Sequence, residues 1–122
     1  MIIVDYIQLI QGSNGRASRY EQVTEVSGQL KTLAIRHNVP VVALAQLNRE
    51  AAKDGRRPEP HELRDSGSLE QDADVILLLH DRAPPEERRS ERDMELYVAK
   101  QRGGIAGSTV RVHFVPWLTK FS

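Results

Sequence analysis

The sequence lacks several features that would place it in common classes of protein. Its 122 residues contain no cysteine, which excludes disulfide bonds and thiolate metal sites and favours a reducing, cytoplasmic location. No apolar run approaches the roughly 20 residues that span a bilayer, and no basic-then-apolar leader is present, so we expect no membrane partner. Basic and acidic residues balance at 17 each, so the total charge points to no particular partner.

The first half of the sequence has the pattern of a strand, a helix and a second strand. Residues 2–10 are mostly β-branched and aliphatic, as in a strand that is covered on both faces. Ser18 is suited to cap a helix, with Glu21 as its capping-box partner. Residues 41–45 form the next apolar strand. This βαβ order predicts an α/β fold with a mainly parallel sheet flanked by helices.

The second half predicts a strand and a C-terminal β-hairpin. A short helical stretch around residues 61–71 precedes an apolar strand at 75–80. The segments "MELYVAK" and "STVRVHF" alternate in polarity on either side of the glycine-rich "QRGGIAG", which is typical of a β-hairpin. The segment "WLTKF" is suited to a last edge strand.

Asp5 and Gln46 stand where the first two strands are expected to emerge. Apolar residues followed by Asp make the pattern of a Walker B strand, whose aspartate orients Mg²⁺, usually through water. An amide at the end of the next strand can donate to a phosphate oxygen and accept from water. The alternatives are an aspartate that caps a turn and a glutamine that is merely exposed at a strand end.

The segment "LRDSGSLEQDADVI" brings Arg64, Ser66, Gly67 and Ser68 together ahead of the third strand. An arginine and backbone amides around small residues suit a phosphate backbone. The alternative is a helix cap, in which Glu70 and Asp72 are solvated acids of the helix.

Lys100 and Arg102 lie at the mouth of the glycine-rich hairpin. Two cations held at a rigid tip can stabilise charge on a transferring phosphoryl group, including one in a neighbouring subunit. The alternative is an ordinary basic hairpin on the surface. The histidines show no metal-ligand spacing, and we interpret them as structural or solvated: His37, His61, His80 and His113.

Four segments in one order extend over almost the whole chain: "IIVDYIQLI", "VPVVALAQLNR", "RRPEPHELRDSGSLEQDADVILLL" and "AKQRGGIAG". Together they resemble the C-terminal part of the motor domain of the DnaB family, the hexameric replicative DNA helicases of bacteria and their phages. The resemblance implies a RecA-like P-loop ATPase core, ATP and Mg²⁺ as cofactors, and a homo-hexameric ring. It also implies 5′-to-3′ movement along single-stranded DNA at the replication fork.

The resemblance also implies a role for each matching residue. Asp5 resembles the Walker B aspartate, which holds Mg²⁺ through water, and Gln46 resembles the glutamine that contacts the γ-phosphate. Lys100 and Arg102 resemble the pair that reaches the γ-phosphate of a neighbouring subunit, with Arg102 as the arginine finger. The DNA-backbone loop of the family matches Arg64, Asp65 and Gly67, although Glu is more usual than Asp at its second position.

Other parts of such a motor are not found in the 122 residues. No G-x-x-x-x-G-K-[ST] loop is present, so we expect the phosphate-binding loop and the catalytic glutamate upstream of residue 1. The N-terminal domain that contacts primase is also missing, and the loader would bind through regions mostly outside this chain. We therefore interpret residues 1–122 as a partial RecA-like helicase ATPase domain and expect it to be inactive alone. The alternatives are a RecA-like recombinase and a non-catalytic remnant that assembles with a helicase.

Overall fold

A short parallel pair of strands opens the fold. The computed structural model describes residues 1–48, 56–63, 67–83 and 91–122. Strand β1 (Ile2–Val4) pairs in parallel with β2 (Val41–Ala43), and helix α1 (Arg19–His37) connects them. The predicted βαβ order is therefore confirmed.

The first strand is shorter than the sequence predicts. β1 ends at Val4, and the chain then forms a 3₁₀ turn at Ile7–Leu9 instead of a strand to residue 10. The turn places the Ile7 side chain in the core, where none of it is exposed. The Ile7 N–H donates to the Leu44 carbonyl oxygen at 2.9 Å. The apolar residues after Asp5 thus fill the interior instead of extending the strand.

Helix α1 begins with the predicted capping box. The Ser18 hydroxyl accepts from the Glu21 N–H at 3.3 Å, and the Glu21 carboxylate accepts from the Ser18 N–H at 2.8 Å. The hydroxyl also donates to that carboxylate, and these two hydrogen bonds lower the pKa of Glu21. Val23 and Val26 of α1 are buried, whereas His37 at its end is exposed, in line with its interpretation as a structural or solvated residue.

A second, short helix lies against α1. Helix α2 (Gly67–Asp72) follows a 3₁₀ turn at Pro60–Glu62. The buried Ser27 hydroxyl of α1 donates to the Asp72 carboxylate of α2 at 2.6 Å. Asp72, a solvated acid in the alternative interpretation, is therefore partly exposed and also hydrogen-bonded to α1.

The C-terminal strands form an antiparallel sheet in the order β3-β4-β5-β6. The bounds of these four strands are β3 (Val75–Asp81), β4 (Arg92–Gln101), β5 (Thr109–Val115) and β6 (Lys120–Phe121). The predicted hairpin is confirmed as β4 and β5, and the predicted edge strand as β6. The prediction of a mainly parallel sheet is not confirmed, because among the described residues only β1 and β2 pair in parallel.

Strand β3 of the antiparallel sheet is covered on one face. The side chains of Ile76, Leu78 and His80 are buried, whereas the intervening Leu77 and Leu79 are about half exposed. This alternation is typical of an antiparallel strand with one covered face, although every exposed position happens to be apolar.

The chain divides into two compact units. The first unit contains Met1–Asn48 and His61–Ala73, and the second contains Arg49–Pro60 and Asp74–Ser122. β1, β2 and both α-helices belong to the first unit, and the antiparallel sheet belongs to the second. In the part of the chain that the structure describes, no helix is long and apolar enough to cross a membrane.

Candidate functional site

Asp5 lies directly after the carboxyl end of β1. The preceding residue, Val4, pairs with Ala43, and its carbonyl oxygen accepts from the Leu44 N–H at 2.9 Å. Asp5 is exposed, and the Asp5–Tyr6 peptide bond is cis. Among the described residues, none forms a hydrogen bond or an ion pair with the Asp5 carboxylate. The carboxylate is therefore accessible at the carboxyl edge of the parallel pair.

Gln46 lies at the same edge, three residues beyond the end of β2. It is exposed, and its backbone N–H donates to the side-chain oxygen Oε1 of Gln8 at 3.3 Å. Between β2 and Gln46, the Leu44 carbonyl oxygen accepts a hydrogen bond from the Ile7 N–H. The structure thus brings the segments that carry Asp5 and Gln46 together at one edge of the sheet in the first unit.

Sequence reasoning missed Gln8 as part of this edge. Only 5% of Gln8 is exposed, and its side-chain nitrogen Nε2 is buried without a hydrogen-bond partner among the described residues. The available signal was a lone amide within the apolar "IIVDYIQLI", which the strand pattern treated as a simple interruption.

Among the described residues at the carboxyl edge of β1 and β2, the Asp5 carboxylate is the group suited to bind a metal ion. Across the described ranges, no group of three or more His, Asp or Glu residues has the geometry to hold a metal ion. Mg²⁺ usually keeps several waters and binds one or two carboxylates together with substrate phosphates. The single exposed carboxylate of Asp5 fits an ion that is bound in this way.

Of the predicted DNA loop, only Gly67 can be placed. Gly67 is the first residue of α2 and is exposed. A Cβ atom at this position would lie 3.5 Å from the Tyr20 hydroxyl of α1, which is an ordinary contact. Arg64 and Asp65 lie outside the described residues.

Lys100 and Arg102 lie where β4 runs into the hairpin turn of the second unit. Lys100 pairs with Ile76 of β3, whereas Arg102 follows the last residue of β4. The register shifts between Ile76 and Leu77, so Ala99 is an extra residue in β4. The bulge precedes both cations, so Lys100 lies in the last paired part of β4 and Arg102 begins the turn.

Asp74 holds Arg102 in two ways. The Arg102 Nη1 atom lies 2.8 Å from the Asp74 Oδ1 atom, and the Arg102 N–H donates to the Asp74 carbonyl oxygen at 2.8 Å. Both side chains are just over half exposed. Sequence reasoning did not connect these residues, because the contact joins positions that are far apart in the chain.

A second charged cluster lies elsewhere on the antiparallel sheet. Glu95 accepts from Arg57 at 2.8 Å and from Arg82 at 3.3 Å, and the Arg57 guanidinium lies over the Tyr97 ring at 4.6 Å. The hydrogen bond from Arg57 is the main cause that lowers the pKa of Glu95. Burial lowers the pKa of His80, which pairs with Glu95 across the two strands. None of these residues was predicted as a site, and the contacts fit a structural role.

Asp5 and Gln46 thus follow two paired parallel strands, and Lys100 and Arg102 lie at the end of β4. The family model described as "DnaB-like helicase C terminal domain" matches residues 1–122. The chain therefore belongs to the family of DnaB-like helicase C-terminal domains.

Individual relatives agree with this assignment. The chain is similar to the replicative DNA helicase DnaC of Bacillus subtilis (strain 168), with 42% identity over 124 residues that cover 99% of this chain and 27% of that protein. It is also similar to the replicative DNA helicase DnaB of Treponema pallidum (strain Nichols), with 42% identity over 121 residues that cover 99% of this chain and 26% of that protein. The chain thus spans about a quarter of the length of these curated relatives.

Two solved structures share the fold. One is described as the ATPase domain of G40P; it matches with a TM-score of 0.86 and 36% identity over 98% of this chain and 42% of that chain. The other is described as a DnaB-like replicative helicase and its interactions with primase; it matches with a TM-score of 0.83 and 37% identity over 93% of this chain and 28% of that chain. The α/β fold of a DnaB-like helicase ATPase domain is therefore confirmed.

Proposed function

We propose that residues 1–122 are part of the motor of a replicative DNA helicase, which couples ATP hydrolysis to 5′-to-3′ movement on single-stranded DNA and to duplex unwinding. The observation that carries this proposal is the position of Asp5 and Gln46 after the carboxyl ends of two paired parallel strands. Ligands of open α/β sheets bind outside this edge. The family match over the whole chain supports the same function.

Asp5 and Gln46 would form part of the nucleotide site. The exposed Asp5 carboxylate would hold a water of the Mg²⁺ shell, and the Gln46 amide would contact the γ-phosphate and orient the attacking water. Bound Mg²⁺ neutralises charge on the phosphates during transfer. Because the Gln46 backbone is tied to Gln8, the amide starts from a defined position at the sheet edge.

Lys100 and Arg102 would act on the nucleotide of a neighbouring subunit in a homo-hexamer. The ion pair between Arg102 and Asp74 is exposed, and exposed pairs contribute only about 0–1 kcal/mol. A phosphate carries more charge than a carboxylate and accepts two parallel hydrogen bonds from a guanidinium. We infer that a γ-phosphate at the subunit boundary would replace Asp74 as the partner of Arg102.

Arg64, Asp65 and Gly67 would hold single-stranded DNA in the channel of the ring. The contacts would be made to the phosphate backbone, by side chains and by backbone N–H groups. Such binding is largely indifferent to base sequence and weakens with salt. A ring collects Arg64 from every subunit, which explains how a chain of balanced charge can bind DNA. Primase and a helicase loader would be partners of the complete cytoplasmic protein.

The proposal can be tested by placing residues 1–122 in a complete motor. A chimera would carry this segment in place of the matching one in the B. subtilis replicative helicase DnaC, and unwinding of a forked duplex would be measured with ATP. Arg102→Ala should abolish ATP turnover while nucleotide binding is mostly kept. Arg64→Ala should weaken DNA binding and the stimulation of turnover by DNA, with basal turnover less affected.

The matched control is Arg111→Ala, which removes an exposed arginine from β5 and should change neither property. Identical defects in the Arg102 and Arg64 variants would show that the division into finger and DNA loop is wrong. Strand exchange without unwinding by the chimera would favour a recombinase. A folded chimera without any activity would favour a non-catalytic remnant.

A further inference from the structure

Gln8 is a polar residue in an apolar position. It lies in the 3₁₀ turn after β1 with only 5% of its surface exposed. Its Oε1 atom accepts from the Gln46 N–H at 3.3 Å. Since a backbone N–H can only donate, this contact fixes which end of the Gln8 amide faces Gln46.

The contact holds a segment that the strand ladder does not reach. The pairing of β1 with β2 ends at Ala43, and one more residue, Leu44, is tied by its N–H to Val4 and by its carbonyl to Ile7. Two residues further on, Gln46 is tied by the side chain of Gln8. The turn that follows Asp5 therefore holds the Gln46 N–H directly, while the bridge to Leu63 holds the next residue, Leu47.

The Nε2 end of the Gln8 amide carries an energetic cost of this arrangement. The Nε2 atom is buried and has no partner among the described residues. A buried donor without an acceptor destabilises a fold, and a Leu or Met side chain of similar volume would avoid this cost. A glutamine at this position therefore needs a reason other than packing, and its contact with Gln46 supplies one.

We propose that Gln8 is a positioning residue that fixes the Gln46 backbone and so aims the Gln46 side chain at the nucleotide. The proposal rests on the role of Gln46 proposed above. Gln8 would act only through Gln46 and would touch neither nucleotide nor metal ion.

The first test measures amide hydrogen exchange by NMR on the 122-residue chain. Gln8→Met keeps the volume but removes the acceptor, so the Gln46 N–H should exchange on the order of tenfold faster. The Leu44 N–H, which donates to Val4, is the internal control and should not change. Gln8→Glu keeps an acceptor and should retain the slow exchange of Gln46. Equal loss of protection in both variants, or at both amides, would assign the effect to repacking and overturn the proposal.

The second test is a double-mutant cycle in the chimera. Gln46→Ala keeps the backbone N–H that Gln8 holds but removes the side chain to be aimed. Gln8→Met alone should lower kcat about tenfold with little change in KM, because the misaimed amide acts mainly in the chemical step. In the Gln46→Ala background the same change should lower kcat less than about twofold.

The outcomes separate the two proposals. If the fold-losses in kcat of the two single variants multiply in the double variant, Gln8 acts independently of the Gln46 side chain and the positioning role is wrong. A Gln46→Ala chimera with unchanged turnover would instead show that the proposed role of Gln46 is wrong, and the positioning role would fail with it.

Discussion

Truncation of Ile7 should destabilise the first unit far more than truncation of Leu9 in the same 3₁₀ turn. Ile7 is 0% exposed, whereas Leu9 is 64% exposed. Ile7→Ala removes about three buried carbons at about 0.8 kcal/mol each, or roughly 2.4 kcal/mol before any cavity remains. With the cavity the loss in unfolding free energy should be about 3–4 kcal/mol. Leu9→Ala should cost less than about 0.5 kcal/mol, because its side chain is mostly in water.

Urea denaturation of the 122-residue chain, followed by far-UV circular dichroism, measures this difference. The helical signal reports mainly on the first unit, because α1 and α2 both belong to it. Ile7→Val provides an intermediate step and should cost about 1 kcal/mol. Equal losses for the Ile7 and Leu9 alanine variants would refute the reasoning, because the turn would then not place Ile7 in the core.

Two further predictions concern the second unit. Gly107 has a φ angle of +94°, so Gly107→Ala should lower the unfolding free energy by about 1–2 kcal/mol. Gly103→Ala in the same turn should cost much less. Thermal unfolding of both variants measures this difference, and equal shifts in melting temperature would contradict the prediction. The hydrogen bond to Asp93, and to a smaller extent the one to Glu91, raises the pKa of His113. The protonated ring therefore stabilises the fold fully below the unfolded pKa of about 6.5, and this stabilisation is lost as the pH rises through the raised pKa. An NMR titration should show the His113 midpoint falling in Asp93→Asn, and an unchanged midpoint would contradict the assigned cause.

Apart from the βαβ order, the features that the sequence predicts correctly are local ones. The capping box needs residues three apart, and the hairpin needs two alternating segments around a glycine-rich turn, so both can be recognised without knowledge of the rest of the fold. The contacts of Gln8 with Gln46 and of Asp74 with Arg102 join residues 38 and 28 positions apart. Nothing in the local pattern specifies such pairs, so the sequence indicated Gln46 and Arg102 but not the residues that contact them.

The direction of strand pairing in the sheet was harder to predict, because parallel and antiparallel strands can have the same apolar sequence pattern. A continuous apolar run is typical of a parallel strand covered on both faces, and β3 has such a run. In the structure β3 pairs with β4 in the antiparallel direction, and three of its five apolar positions are exposed. Residue type alone does not distinguish these two arrangements.

The extra residue Ala99 has a consequence for how the length of this hairpin can vary. It lies between Val98 and Lys100, which pair with the adjacent residues Leu77 and Ile76. Deleting it would make Val98 and Lys100 neighbours opposite Leu77 and Ile76, so the ladder would become regular and Lys100 would keep its partner and its face of the sheet. Residues 103–106 of the turn lie outside the strands, so insertions there would leave that register unchanged. Related hairpins should therefore differ in length at the bulge and at the glycine-rich turn, while Lys100 keeps Ile76 as its partner.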